Sequence, residues 1–261
     1  MRAKVRCPAK INTFLAVGPP DLSGYHPIRS YFQAISLCDE LHITPATQDE
    51  ITSDWPDLPA NNTISKTLRL SRELIEIPPL SIHLVKRIPS EAGLGGGSSD
   101  AAGLLRYLDR AYGPYPWGHQ EMVAKAVGMD VAFFLVGGRA KAEGYGEILT
   151  PLEDLPPRWI AVIKPEVGVS TAEAYRQLDS APREFREFPE DPFEIHNDFE
   201  RVAPCACHEA IEHLLVRGAT HAGLSGSGSA VFGFFDEEPT LPGAFTCQTL
   251  SREESLWMSF C

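Results

Sequence analysis

The chain has 261 residues, 43% apolar and 22% charged, the composition of a soluble globular protein with one large domain or two moderate ones. Its net charge of −12 argues against a nucleic-acid binder, which would carry a basic face, and obliges any anionic substrate to find a local positive pocket. No apolar run reaches the ~18 residues of a membrane span, and "MRAKVRCPAKINTFLAV" has no signal-peptide hydrophobic region, so no membrane partner and a cytoplasmic location are expected.

"RAKVRC" alternates Arg2, Lys4 and Arg6 with Ala3, Val5 and Cys7, which predicts a strand that Pro8 interrupts. "INTFLAVG" predicts a second extended stretch and "PPDLSGYHP" a loop of turn formers. "SYFQAISLCDELHITPA" reads as strand, turn, strand. "NNTISKTLRLSRELI" predicts a helix capped by Asn62 or Thr63, with Ile64, Leu68 and Leu70 on or near its apolar face. "LSIHLVKRIP" is strand-like as far as Pro89. After a glycine cluster, Ala101, Leu104, Leu105 and Leu108 keep i, i+3, i+4, i+7 spacing, which predicts a helix capped by Ser98, Ser99 or Asp100 and ending at Gly113-Pro114. "HQEMVAKAVG" predicts a further helix and "MDVAFFLVGG" a strand and turn. Three prolines in "TPLEDLPPRW" mark a linker, so two domains are expected at 1–150 and 151–261. "RWIAVIKP" predicts a strand, "TAEAYRQLD" and "HEAIEHLLVRG" helices, and "DSAPREFREFPEDPFE" a charged surface loop. "SGSGSAVFGFF" is a second glycine–serine loop, here leading into a strand.

The six cysteines, Cys7, Cys38, Cys205, Cys207, Cys247 and Cys261, form no disulfide framework for a chain this long. "CACHEAIEH" brings Cys205, Cys207, His208 and His213 together, but the second half of a structural zinc motif is missing. A helix start with incidental thiols is the preferred reading, and no metal ligands are assigned.

The stretch "SEAGLGGGSSDAAGLL", Ser90 to Leu105, needs a backbone explanation. Glycine costs about 0.5–1 kcal/mol relative to alanine inside regular structure. A glycine loop between a strand and a helix start lets consecutive N–H groups and the positive end of the helix dipole meet an anion, and phosphate is the natural guest. The loop is not Walker A, since no lysine follows Gly97, nor the dinucleotide fingerprint, since position 98 is serine. Asp130, entering an apolar run, is either a helix cap or ion-pair member or a group that does chemistry. Lys10, taken alone, reads as a solvated surface lysine.

"PSEAGLGGGSSDAA" resembles the phosphate loop of the GHMP kinases, the galacto-, homoserine, mevalonate and phosphomevalonate kinases. "CPAKINTFL", "SGYHPI", "GMDVAFFLVGGRAKAEGYGE", "VSTAEAY" and "SGSGSAVFG" follow in order over roughly residues 1–235. They resemble the branch whose acceptor is a cytidine diphosphate-linked methylerythritol of the non-mevalonate isoprenoid route. The chain departs from the usual pattern at Ala92, where glycine is usual, at Ala132, where proline is usual, and at Ser23, where an aspartate precedes Gly24-Tyr25-His26. None of these departures removes a group that does chemistry.

The resemblance implies an α+β, two-domain fold, with a ribosomal S5 domain 2-like N-terminal domain, a ferredoxin-like C-terminal domain and an active site in the cleft between them. It implies ATP with Mg²⁺, held by the loop residues Pro89, Ser90, Glu91, Ala92, Gly93, Leu94, Gly95, Gly96, Gly97, Ser98 and Ser99, with Asn62 toward the adenine. Asp130 is implied as catalytic base, with Lys10 beside it to stabilise developing charge. Asn12 is implied to orient the erythritol hydroxyls, and Tyr25 and Tyr175 to stack on the cytosine while His26 reads its polar edge. Thr171 adds a hydrogen bond, and the Ser225–Ser229 loop, with Ser225 and Gly226 foremost, packs on the phosphate loop and touches the diphosphate. A homoserine- or mevalonate-type kinase and a non-catalytic nucleotide binder of the same fold are the alternatives. A monomer or weak homodimer is expected.

Overall fold

The computed structural model describes residues 2–116, 118–180, 183–191 and 194–260. In chain order the first half contains β1 (Ala3–Val17), β2 (Ile28–Pro45), β3 (Glu50–Ser53), α1 (Thr63–Arg72), β4 (Leu80–Val85), α2 (Gly96–Tyr112), α3 (His119–Val127), α4 (Val131–Val136), β5 (Arg139–Glu143) and β6 (Ile148–Pro151). The second half contains β7 (Trp159–Ile163), α5 (Thr171–Asp179), β8 (His196–Asn197), a 3₁₀ turn at Asp198–Val202, α6 (Cys205–Val216), β9 (His221–Leu224), β10 (Val231–Phe235), β11 (Phe245–Gln248), α7 (Arg252–Ser255) and β12 (Met258–Phe260).

These strands make two sheets. The first runs β12-β1-β2-β4-β3, with β5 and β6 continuing from β2 and β8 beside β1. The second runs β11-β7-β10-β9. Helix α2 lies on β1 and β2 of the first sheet with α1, α3 and α4 packed around it, and α6 lies against β9 and β10. A largely antiparallel first sheet with its helices grouped after the strands, and an antiparallel second sheet, give the expected α+β class. Both β8 and β12 return from the second half of the chain to flank β1. No helix among the described residues is long and apolar enough to cross a membrane.

Pro8 does not break the first strand. It sits at a register shift, with Pro8 opposite Cys38 and Ala9 opposite Ile35, so β2 carries extra residues there. A proline that cannot donate to the ladder is tolerated at a bulge. The same bulge replaces the turn expected within "SYFQAISLCDELHITPA", and β2 runs unbroken through it. The shift also moves side chains between cores. Val5 and Cys7 pack with the helices, whereas Ala9 and Ile11 pack with Ile160, Val162 and Phe232 of the second sheet. After a second shift near Asn12, Leu15 and Val17 rejoin the helix-side core. The strand from Cys7 onward is therefore covered on both faces, which sets up a buried site inside it.

Three further expectations change. Val131–Val136 is helix rather than strand: a short apolar run cannot be assigned by periodicity alone, and Val131, Phe133 and Phe134 bury against α2 and Phe32. Helix α2 starts at Gly96 with Gly95 as N-cap and no side-chain cap, so neither Ser98, Ser99 nor Asp100 caps it. Of the charged segment 179–194, residues 181, 182, 192 and 193 lie outside the described residues, and the rest is anchored. Arg183 donates to the carbonyls of Val17, Gly18 and Leu178, and Phe188 packs on Phe14 and Tyr31. Helix α1 has the expected cap: Asn62 accepts from Ser65 N while Ser65 returns a bond to Asn62 N, a capping box. Cys205 and Cys207 open α6 behind Pro204, and the buried Cys207 thiol faces the Ser229 carbonyl at 3.5 Å. Five cysteines are free, and Cys261 lies outside the described residues.

Candidate active site

Two cavities meet at the glycine loop. One, of about 440 Å³, is lined by Pro89 through Ser98 together with Asn62, Thr63, Trp55 and Lys86. The other, of about 640 Å³, is lined by Lys10, Asn12 and Asp130 and by the aromatic residues discussed below. Gly93 and Gly95 belong to both walls. Gly95 has φ +73°, and a Cβ there would lie 2.8 Å from Phe134 and 3.3 Å from the stem of Lys10. Glycine at 95 is thus required by conformation and by close approach together.

The first-turn N–H groups of Gly96, Gly97 and Ser98 have no intrahelical carbonyl to bond, and no side chain caps them. They are available to an anion in the 440 Å³ cavity. Ser99 does not line it; its buried hydroxyl has no hydrogen-bond partner. The loop glycines have different duties. A Cβ at Gly93 would lie 2.1 Å from the Ser225 carbonyl oxygen, and one at Gly96 would lie 3.0 Å from Ile88 and from the Lys86 ammonium. One at Gly97 would make only ordinary contact with Thr63, at 3.5 Å. Gly97→Ala is therefore expected to melt no earlier than wild type, since alanine favours the helix by about 0.5–1 kcal/mol, yet to bind ATP more weakly by calorimetry. Unchanged ATP affinity in that variant would remove Gly97 from the phosphate contact.

Lys10 is not a solvated surface lysine. It is 4% exposed on the doubly covered stretch of β1. Its ammonium donates to Asn12 Oδ1 at 2.6 Å, lies 3.8 Å from Asp130 Oδ2, and sits 5.3 Å from the centre of the Phe32 ring. Burial lowers the Lys10 pKa, and the Asp130 carboxylate opposes that shift. Asp130 occupies the N-cap position of α4 without capping it, so its oxygens stay free to face Lys10 and the cavity. Its side chain is about one-third exposed (34%), which leaves it open to a substrate hydroxyl.

Asn12 is 2% exposed and holds the site together. Its Oδ1 also accepts from Gly226 N at 3.0 Å, and its Nδ2 donates to Ser30 Oγ at 2.8 Å. Gly226 is gripped from the other side by Asn197, whose Nδ2 donates to the carbonyls of Gly226 and Leu224, both at 2.8 Å. Ser225 is fully buried and donates to the Gly93 carbonyl at 3.0 Å, so it joins the two glycine loops and does not line the cavity. Gly226 and Ser227 line it instead, and Ser227 Oγ lies 3.0 Å from Thr171 Oγ1 at the start of α5.

The far end of the larger cavity is aromatic. Tyr175 lies against His26, ring centres 4.7 Å apart, and meets Phe199 edge-on at 4.8 Å. Burial pushes the Tyr175 hydroxyl up to about 12, with Asp130 adding to the shift. His26 Nε2 donates to Asp179 at 2.8 Å, and Arg183 stands 3.6 Å from the same carboxylate. Tyr25, 59% exposed, lies against Tyr145 at 5.5 Å. Each of the two tyrosines expected to stack on a base thus already has a ring partner. Tyr145, Asp179 and Asn197 are participants that the sequence reading missed. Tyr145 carried a signal, an aromatic residue between two turn glycines; Asp179 and Asn197 carried none.

Beneath the glycine loop, Lys86 bridges two buried carboxylates, Asp39 and Asp100, with Asp100 at 3.2 Å. Asp39 also accepts from Arg87 N and Ile88 N at 2.6 and 2.7 Å, which fixes the chain entering the loop. Burial pushes the Asp100 carboxyl up, opposed by Lys86. The charge of Lys86 is thus largely spent on carboxylates within the protein. Arg2, Lys4 and Arg6 line neither cavity; Lys4 pairs with Glu40 at 2.8 Å, and Arg6 lies over Trp257.

Residues 62–138 match the GHMP kinases N terminal domain. A 4-diphosphocytidyl-2-C-methyl-D-erythritol kinase of Anaeromyxobacter sp. (strain Fw109-5) is 38% identical over 257 residues, covering 90% of this chain and 83% of that protein. Another, of Geobacter metallireducens (strain ATCC 53774 / DSM 7210 / GS-15), is 36% identical and covers 95% of both chains. A crystal structure of 4-(cytidine 5'-diphospho)-2C-methyl-D-erythritol kinase superposes with a TM-score of 0.80 at 31% identity, over 94% of this chain and 98% of that one.

Proposed function

The chain belongs to the 4-diphosphocytidyl-2-C-methyl-D-erythritol kinase family of the GHMP kinases and is a small-molecule kinase; from that premise we propose that it transfers the γ-phosphoryl group of ATP to the 2-hydroxyl of 4-diphosphocytidyl-2-C-methyl-D-erythritol, with Asp130 as base. The observation that carries this reading is the position of Lys10 and Asp130 on the larger cavity, whose wall continues through Gly93 and Gly95 into the uncapped helix start. Phosphoryl transfer needs little covalent chemistry from the protein and much positioning. The acceptor oxygen bonds the γ-phosphorus as the bond to the ADP oxygen breaks, and the hydroxyl proton passes to Asp130. Lys10 stabilises negative charge on the acceptor oxygen and keeps Asp130 ionised.

Mg²⁺ belongs to this reading as an ion carried largely on the ATP phosphates, whose charge it neutralises. Ser98, on the cavity wall, is the hydroxyl that the loop would offer it, whereas Ser99 is buried behind that wall. Residues 1–150 and 151–261 are the two domains of the proposal, the second lending β8 and β12 to the sheet of the first, and the cytoplasm is its setting.

The cytidine end supplies the test of substrate. Wild type is expected to phosphorylate 2-C-methylerythritol 4-phosphate, which lacks the cytidine, far less efficiently than the full substrate. Tyr25→Ala and Tyr175→Ala should each weaken binding of the full substrate by about 1–3 kcal/mol, the worth of one stacked base. The loss should fall on KM, because the base lies away from the transferred group and contributes equally in ground and transition states. Phenylalanine at either position should restore most of it. Equal kcat/KM for full and truncated substrates in steady-state assays would refute the cytidine reading and favour another GHMP acceptor.

A further inference from the structure

Tyr25 presents a problem of order. It is a large ring, 59% exposed, on a loop of turn residues, and a ring so placed loses affinity for a stacking partner unless something fixes it beforehand. Two contacts do so. Within the loop, Asp21 Oδ1 accepts from Ser23 N at 2.8 Å, from Ser23 Oγ at 2.5 Å and from Tyr25 N at 3.3 Å. From outside the loop, Tyr145 lays its ring against Tyr25 and donates its hydroxyl to the other oxygen of the same carboxylate, Asp21 Oδ2. Tyr145 is itself well held. It stands between Gly144 and Gly146, both at positive φ, its N–H donates to Glu147 at 2.6 Å, and the Gly144 carbonyl accepts from Ile28 N at 2.7 Å. The β5–β6 turn is thereby tied to the first residue of β2, where the Tyr25 loop ends.

We propose that Tyr145, acting with Asp21, is a positioning and specificity-determining residue that fixes the Tyr25 ring as the outer wall of the cytidine end of the cavity. This rests on the substrate reading above. In this chain Asp21 supplies the loop with a carboxylate where Ser23 stands in place of an aspartate, and among the described residues Tyr145 is the one side chain from outside the loop that bonds Asp21. The Tyr145 turn passes near Asp130, where a Cβ at Gly146 would lie 3.9 Å from Oδ1. The hydrogen bonds of Tyr145 and Asp21, however, go to each other and to the loop and turn, not to Lys10 or Asp130, so neither should move the chemical step.

The test is kinetic, with the intact chain. Tyr145→Ala is expected to raise KM for the cytidylylated substrate roughly three- to tenfold, the worth of one aromatic contact. Its kcat, its KM for ATP and its melting temperature should stay near those of wild type. Asp21→Ala should do the same, and the double variant should be little worse than either single one, because both act through Tyr25. In a Tyr25→Ala background, Tyr145→Ala should add nothing. On 2-C-methylerythritol 4-phosphate the variants should match wild type. An unchanged KM for the full substrate in Tyr145→Ala, or additive effects of Tyr145→Ala and Tyr25→Ala, would overturn the inference, as would a lowered melting temperature with KM unaffected. Failure of the substrate reading is a separate result, visible in wild type alone as equal use of the full and truncated substrates.

Discussion

Asp130→Asn is expected to lower kcat by about 10²–10⁴ while leaving KM for both substrates close to wild type. The amide keeps the size and shape of the carboxylate but cannot accept the hydroxyl proton. The fold should tolerate the change. Asp130 makes no capping bond at the start of α4, it is partly open to water, and its ion pair with Lys10 is long at 3.8 Å. The variant also removes the one group that raises the Lys10 pKa against burial. Lys10 should therefore lose its proton at lower pH in Asp130→Asn than in wild type, visible as a shift of the alkaline limb of whatever activity remains. Circular dichroism and thermal melts establish folding, and single-turnover kinetics isolate the chemical step. A variant that keeps near-normal kcat would take Asp130 out of the reaction.

What the sequence displayed of this site follows physical lines. The glycine loop was legible because backbone approach to an anion demands residues without Cβ, and that demand is local. Helix α1 and its Asn62 cap were legible for the same reason: a capping box is complete within a few residues. Lys10 was not legible from its surroundings. Its burial depends on the bulge at Pro8, which turns Ala9 and Ile11 toward the second sheet, and a bulge needs a partner strand to exist. The role proposed for Lys10 comes from the resemblance; the fold accounts for its burial and for its neighbours Asn12 and Asp130. Helix α4 was misread because six apolar residues satisfy strand and helix alike until α2 is there to receive Phe133 and Phe134. Asn197 illustrates the limit. Its bonds to Leu224 at the end of β9 and to Gly226 of the Ser225–Ser229 loop span nearly thirty residues, and nothing nearby in the chain anticipates them.

Lys10→Met should lower kcat by about 10²–10³, the usual loss when one preorganised charge donor is removed from a buried site. Methionine approximates the stem of the lysine and lacks only the ammonium, so the packing against Phe32 and Gly95 survives. Asn12 keeps its bonds to Gly226 and Ser30 and continues to hold the second glycine loop. The effect on stability should run opposite to the effect on rate. Burial depresses the Lys10 pKa in the folded state below its ordinary value near 10.5, so the unfolded chain binds that proton more tightly. Between the folded and unfolded pKa values the unfolded state carries more protons, and stability from this group rises with pH. At neutral pH the charged lysine therefore burdens the fold, and Lys10→Met should melt no earlier than wild type. The wild-type alkaline limb of kcat should fall below the ordinary lysine range and be absent from the variant. A variant with normal kcat, or one whose alkaline limb is unchanged, would show that the ammonium has no part in the reaction. On the proposed mechanism, the fold gives up some stability to hold one charge beside the attacking oxygen, which is what electrostatic catalysis in a buried cleft requires.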